Sequence, residues 1–277
     1  MSRISEKFNE LRQRNRIALV SYITAGDPSL ETTAEIAVKL EESGADIIEL
    51  GVPFSDPMAD GPVIQLASER ALAGGATLAG VLETVRKIRE KSSVPIILFG
   101  YYNPFFKYGL ERIVKDAAEA GADGFLIVDL PPEEAGEFKV HTDKAGLDIV
   151  FLLAPTSTSD RIGLVAENAS GFVYLVSVTG VTGERPEMNY SLEGLTNEIR
   201  QTTGLPVGIG FGISSPEQVK GLSGYADAVI VGSAIVRIIE QYGSEKEKLL
   251  NELSGFVGGL SAACGRSNGA APGRAKS

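Results

Sequence analysis

Eight short apolar runs rich in β-branched residues recur along the chain. They are Ile17–Thr24, Asp46–Val52, Pro95–Tyr101, Gly124–Leu130, Asp148–Ala154, Phe172–Val178, Pro206–Phe211 and Ala228–Gly232. They are nearly continuous rather than alternating, as strands buried on both faces of a parallel sheet are. Between them lie segments of helical period: Leu30–Ser43, Leu78–Lys91, Leu110–Ala120, Glu133–Ala145, Asp160–Asn168, Leu192–Gln201 and Pro216–Leu222, with a last one from Ile235 to Leu260. Strand–helix alternation repeated eight times predicts an α/β fold. Eight such units can close into a (β/α)8 TIM barrel, and that is the predicted architecture. An open doubly wound sheet is the alternative, disfavoured because no Gly-x-Gly-x-x-Gly turn follows the first strand.

Four similar turns strengthen the barrel. Gly44-Ala45-Asp46, Gly121-Ala122-Asp123, Gly146-Leu147-Asp148 and Gly224-Tyr225-Ala226-Asp227 each join a helix to the next strand. A glycine there suits a left-handed helix end, and the aspartates would fall on the scaffold face of a barrel, away from chemistry. At the start, Ile4, Phe8 and Leu11 recur at helical spacing with Glu6 and Glu10 between them. Transit peptides avoid acids, so this segment is expected to be an extra N-terminal helix packed on the body. The expected organisation is one barrel domain over residues 1–263 and a disordered tail over 264–277, with Cys264 incidental.

Composition narrows the function. The 277 residues carry 26 Lys+Arg against 36 Asp+Glu, a net charge of −10, which argues against nucleic acid as a partner. One cysteine, Cys264, and one histidine, His141, exclude a disulfide framework and a His-cluster metal site, so no metal is expected. His141 falls at a helix end leading to the scaffold face and reads as a surface residue. No apolar run approaches the roughly 20 residues a membrane span requires.

Barrel chemistry sits at the C-terminal ends of the strands. There Glu49 is a lone carboxylate in Ile47-Ile48-Glu49-Leu50-Gly51. Burial favours its neutral form and tunes it toward acid/base work, although a rim glutamate paired with a cation would look the same. The following loop, Val52 to Pro62, holds three prolines and two acids. Asp60 is either a helix cap or a second carboxylate facing Glu49. Asp56 reads as a turn residue, and Asp129 as a site residue or a loop anchor. Glycines after the last three strands, in Thr179-Gly180-Val181-Thr182-Gly183, Gly210-Phe211-Gly212 and Gly232-Ser233, suit an anion site, and phosphate barrels use the loops after strands seven and eight. Ser215, Pro216 and Gln218 spell a helix start.

The run from Glu49 to Pro62 strongly resembles the tryptophan synthase alpha family. Tyr101-Tyr102-Asn103-Pro104, Ser177 to Gly183 and Gly210 to Pro216 reinforce the likeness, which covers about residues 1 to 262. The resemblance implies a cytoplasmic, cofactor-free lyase of tryptophan biosynthesis that cleaves indole-3-glycerol phosphate to indole and glyceraldehyde 3-phosphate. It casts Glu49 as general acid/base and Asp60 as the carboxylate holding the indole N–H. Tyr22, Tyr101, Leu126, Tyr174, Thr182 and Phe211 would line the substrate pocket, Thr182 on the loop that closes over it. Gly183, Gly212, Gly232 and Ser233 would contact phosphate. A pyridoxal-phosphate beta subunit is the implied partner, in a complex of two alpha and two beta chains. The Pro53–Pro62 loop would report site occupancy to that partner. A free-standing lyase, another phosphosugar barrel and a catalytically idle regulatory subunit are the competing readings.

Overall fold

The computed structural model describes residues 1–176, 186–210 and 212–266. Eight parallel strands run in chain order around a closed barrel: β1 Ala18–Thr24, β2 Ile47–Gly51, β3 Ile96–Gly100, β4 Gly124–Ile127, β5 Asp148–Leu153, β6 Val173–Val176, β7 Val207–Gly210 and β8 Ala228–Val231. Closure is made by β1 on β8, with Ala18 opposite Ala228. Each expected strand is present, but several stop early. The fourth ladder ends at Ile127, because the chain then turns into the Pro131-Pro132 loop.

The helices are α1 Arg3–Gln13, α2 Leu30–Glu42, α3 Pro62–Ala73, α4 Leu78–Arg89, α5 Tyr102–Tyr108, α6 Leu110–Ala120, α7 Gly136–Ala145, α8 Ser159–Asn168, α9 Pro186–Thr203, α10 Pro216–Leu222, α11 Ser233–Tyr242 and α12 Lys246–Ala262. The sequence pattern signalled only the start of α3, just after Asp60, and predicted no helix at α5, which lies in the loop after β3. The single long helix expected from Ile235 to Leu260 is two, broken at Gly243, whose backbone packs against Pro28 with no room for a side chain.

Alternation along each strand divides the core. Outward residues such as Leu19, Ile23, Ile48, Leu50, Ile96 and Leu98 pack under the helices. Inward residues Ala18, Val20, Ile47, Ile97, Leu126, Val150, Phe172 and Ala228 fill the barrel, and Ile4, Phe8 and Leu11 of α1 belong to the same cluster. The N-terminal helix therefore plugs the lower end, with Phe8 5.7 Å from Phe172 between ring centroids. A plugged floor leaves the upper end as the place for a ligand.

The repeated aspartates are scaffold. Asp123 accepts from the Ile96 N–H at 2.8 Å, Asp227 from the Val207 N–H at 3.0 Å, and Asp46 from the Leu19 N–H at 2.9 Å. Each satisfies a backbone donor near the start of the preceding strand. Asp148 is held instead by the Ser2 hydroxyl at 2.6 Å. Gly44, Gly121 and Gly146 take the left-handed conformation as expected, but Gly224 does not. Cys264 is not incidental: it is fully buried, and burial pushes its thiol up to about 12. Two residues on, Arg266 clasps Asp227 at 2.9 Å, and Gly265 bridges Arg16. Residues 267–277 lie outside the described residues.

Candidate active site

At the upper end, β1 and β2 lie in register with Tyr22 beside Glu49 and Thr24 beside Gly51. Glu49 points inward and is 1% exposed. Its Oε1 is buried without a hydrogen-bond partner. Among the described residues no cation compensates it, and burial pushes its carboxyl up to about 8. That no Lys or Arg among them pairs with it speaks against the reading of a rim glutamate held by a cation.

Asp60 approaches from the loop above. Pro62 opens α3 and Gly61 is its cap residue, with no side-chain cap bond, so Asp60 is not an N-cap. The loop is pinned at three points. Phe54 N–H donates to Ser68 Oγ at 3.3 Å, Ala59 N–H to the Tyr101 hydroxyl at 2.9 Å, and the Gln65 amide to the Asp60 carbonyl at 2.8 Å. Arg70 forks onto buried Asp27 at 3.0 and 2.8 Å and so ties α3 to the loop after β1. Burial pushes the Asp60 carboxyl up to about 6, partly offset by the Tyr101 hydroxyl. The two carboxyls thus sit on either side of neutrality.

The walls follow from the two-residue period of the strands. Tyr22 and Tyr101 are buried, Tyr174 is half-buried and Leu126 is fully buried in the layer beneath. Burial raises the Tyr22, Tyr101 and Tyr174 phenols, so all three stay neutral. Two glycines make room for these rings: a Cβ on Gly51 would collide with the Tyr22 hydroxyl, and one on Gly210 with that of Tyr174. Phe99, Val128 and Leu152, half-buried inward residues, join the same wall and were missed in the sequence. Their signal was the alternation itself, since Val128 lies two residues after Leu126. Thr182, Gly183 and Phe211 lie outside the described residues.

For the anion, α11 and α10 differ. Ser215 and Gln218 form a complete capping box on α10, with Gln218 accepting from the Ser214 and Ser215 N–H groups at 2.7 and 3.1 Å. The start of α11, at Gly232 and Ser233, has no side-chain cap and no acid in its first turn. This helix start follows directly on β8, and an end without a side-chain cap suits an anion. Gly212 is exposed and left-handed. Asp129 is a loop anchor: its Oδ1 accepts from the Tyr102 N–H at 2.7 Å. Asp56 is exposed beside Ser55, and His141 is half-buried on α7. A separate cleft of about 840 Å³ between α2, α4 and α12 is lined mainly by Glu and Lys side chains on the outer wall. Among the described residues no group of three or more His, Cys, Asp or Glu is placed to hold a metal ion.

Comparison with known proteins agrees with this geometry. A family model described as tryptophan synthase alpha chain matches residues 8–264. A tryptophan synthase alpha chain of Geotalea daltonii is 56% identical over 262 residues, covering 95% of this chain and 98% of the relative. One from a Geobacter species is 55% identical over 260 residues, covering 94% and 97%. Among solved structures, tryptophan synthase subunit alpha from Legionella pneumophila superposes with a TM-score of 0.88 at 38% identity, covering 95% of this chain and 98% of that one. The barrel, the buried glutamate at the end of its second strand and these likenesses converge: the chain belongs to the tryptophan synthase alpha chain family, the lyases that cleave indole-3-glycerol phosphate.

Proposed function

We propose that Glu49 and Asp60 divide the aldol cleavage between them, and that the difference in their environments sets the division. Breaking the bond between the indole ring and the glycerol side chain requires a proton on the ring carbon and loss of the proton from the adjacent hydroxyl. The electron pair of that O–H bond becomes the aldehyde carbonyl, and the pair of the broken C–C bond returns to the ring system. Glu49, tuned to about 8, holds a proton at neutral pH and becomes a base once it has given it up. Asp60, tuned to about 6, is mostly ionised there and can receive the indole N–H as positive charge develops on the ring. Two carboxyls whose surroundings push them apart mark an acid and an anion. The observation that carries the reading is the burial of Glu49 at the barrel mouth, with its Oε1 lacking a hydrogen-bond partner among the described residues.

Around that pair, Tyr22, Tyr101, Leu126, Tyr174, Thr182 and Phe211 are the proposed pocket lining. Gly183, Gly212, Gly232 and Ser233 are the proposed phosphate contacts, supported at Gly232 and Ser233 by the uncapped start of α11. The chemistry needs only proton transfer and charge stabilisation, so no cofactor is proposed for this chain. Pyridoxal phosphate belongs to the proposed beta partner. Support for that partner is an apolar face beside the site loop. Met58 is 92% exposed and Phe106 58%, and a cleft of about 420 Å³ runs between Pro53, Phe54, Leu72, Asn103, Pro104 and Lys107. Work in the cytoplasm follows from the family's place in amino-acid biosynthesis. No helix of the described residues is long and apolar enough to cross a membrane.

The test is indole release from indole-3-glycerol phosphate by the purified chain, with and without a beta subunit. Glu49→Gln and Asp60→Asn are each expected to lose about 10²–10⁴ of the rate. Cleavage within a few fold of the parent in either variant removes that residue's role. High turnover unchanged by a beta subunit favours the free-standing lyase.

A further inference from the structure

Asp27 is a buried carboxylate, 2% exposed, that no step of the cleavage uses. It sits in the loop after β1, wedged between α3 and α11. A Cβ on Gly26 would press on the Ala71 and Ala76 side chains at the end of α3, and Pro28 lies against Gly243 at the end of α11. Between these two contacts Arg70 of α3 forks onto Asp27, with Nε 3.0 Å from Oδ1 and Nη2 2.8 Å from Oδ2. Its remaining Nη1 donates to Glu240 of α11 at 3.0 Å. One guanidinium therefore joins three elements. Nearer the barrel mouth the same two helices meet through Ile64 and Ala67 on one side and Val236 on the other, beside the Tyr22 wall of the pocket. Such apolar contacts have no preferred direction and allow sliding, whereas a forked guanidinium fixes orientation.

We propose that Arg70, held by Asp27 and Glu240, is a positioning residue that sets the separation between the two ends of the substrate site. This rests on the readings of Asp60 and of the α11 start given above. α3 begins two residues after Asp60, where the indole end is received, and α11 begins at Gly232 and Ser233, where the phosphate end is received. Indole-3-glycerol phosphate must reach both at once, so the distance between the two helix starts decides how well a joined molecule fits. Each half of the molecule needs only one of them. The Asp27 arm of the bridge is buried and forked, and the Glu240 arm is exposed and contributes less. The packing of Pro28 on Gly243 gives the buried arm a second hold on α11.

The experiment compares three ligands on the full chain: glycerol 3-phosphate, indole, and indole-3-propanol phosphate, which joins the two halves and cannot be cleaved. Glycerol 3-phosphate is followed by calorimetry and the other two by indole emission, which a chain without tryptophan does not mask. Thermal melts confirm folding. Arg70→Met is expected to bind each half within about twofold of the parent and the joined ligand roughly ten- to thirtyfold more weakly, because linkage helps only while both ends engage together. Arg70→Lys keeps a charge on Asp27 without the fork. It is expected to lose less, again on the joined ligand alone, and it carries the test if Arg70→Met fails to fold. An unchanged affinity for the joined ligand overturns the proposal, and so do halves weakened as much as the joined ligand, as mere loosening of the fold would produce. Gly232→Asp and Asp60→Asn separate this inference from the readings beneath it. If either binds its own half as well as the parent does, that end of the site is misassigned and the spacing role falls with it. If both weaken their halves while Arg70→Met holds the joined ligand unchanged, only the present inference falls.

Discussion

Replacing Glu49 with glutamine tests the buried acid by stability as well as by rate. In the unfolded chain this carboxyl ionises near 4.5, whereas in the barrel it keeps its proton up to about 8. Between those values the unfolded state binds fewer protons than the folded one, so stability falls as pH rises. Each unit is worth about 1.4 kcal/mol, so by pH 7 the wild-type barrel has lost roughly 3 kcal/mol that an uncharged side chain would not lose. Glu49→Gln adds a pH-independent cost of about 1–3 kcal/mol for burying an amide with no ready partners. The decisive quantity is therefore the slope of the difference, not its absolute size. Urea denaturation of both proteins at half-unit steps from pH 5 to 8 should show the variant gaining on the wild type by roughly 1 kcal/mol per unit, levelling off above pH 8. A flat difference across that range would mean that Glu49 is ionised or solvated in the folded protein, and the acid/base assignment would go with it.

Other perturbations probe different parts of the molecule. Gly232→Asp places a negative charge at the uncapped start of α11 and is expected to weaken glycerol phosphate binding roughly tenfold by calorimetry; unchanged binding would take the phosphate away from that helix. Arg266→Met removes one of two guanidinium partners of Asp227, at 7% and 8% side-chain exposure, and should cost about 3 kcal/mol in urea while leaving saturated turnover intact. An unshifted midpoint would show that the residues after α12 do not clasp the barrel. Gly51→Ala drives a methyl group into the Tyr22 hydroxyl, and a loss in kcat/KM of roughly 10- to 100-fold is expected. Tyr22→Phe in the same chain should restore part of it, and failure to do so would locate the damage elsewhere.

Local chemistry written along the chain determined the strand count, the α/β alternation, the plugging helix and the capping box on α10, because each depends on residues within one or two turns of each other. The scaffold role of Asp46, Asp123 and Asp227 was legible for the same reason: a short repeated motif reports a repeated backbone need. The start of α3 was signalled after Asp60, but the extent of α3 and the whole of α5 were hidden by their own contents. Prolines and glycines mark the entry to α3, and α5 is only seven residues of mostly aromatic sequence, capped from outside by Asp129. The place of Cys264 and Arg266 was equally hidden, since Ile17, whose N–H donates to the Cys264 carbonyl, and Asp227, the partner of Arg266, reach them only when the barrel closes.

The site shows the same boundary. Glu49 stands out in the sequence as a carboxylate among aliphatic residues. That no cation among the described residues reaches it, and hence its tuning, is a property of the surrounding space, where side chains from other strands and loops either arrive or do not. Whether Asp60 caps its helix was undecidable from spacing, because Gly61 and Asp60 are adjacent and either suits a helix start; the path of the loop, pinned by Ser68, Tyr101 and Gln65, settles it. Periodicity tells which face a residue occupies, but the distance between two faces is a matter of tertiary packing, and proton transfer depends on that distance.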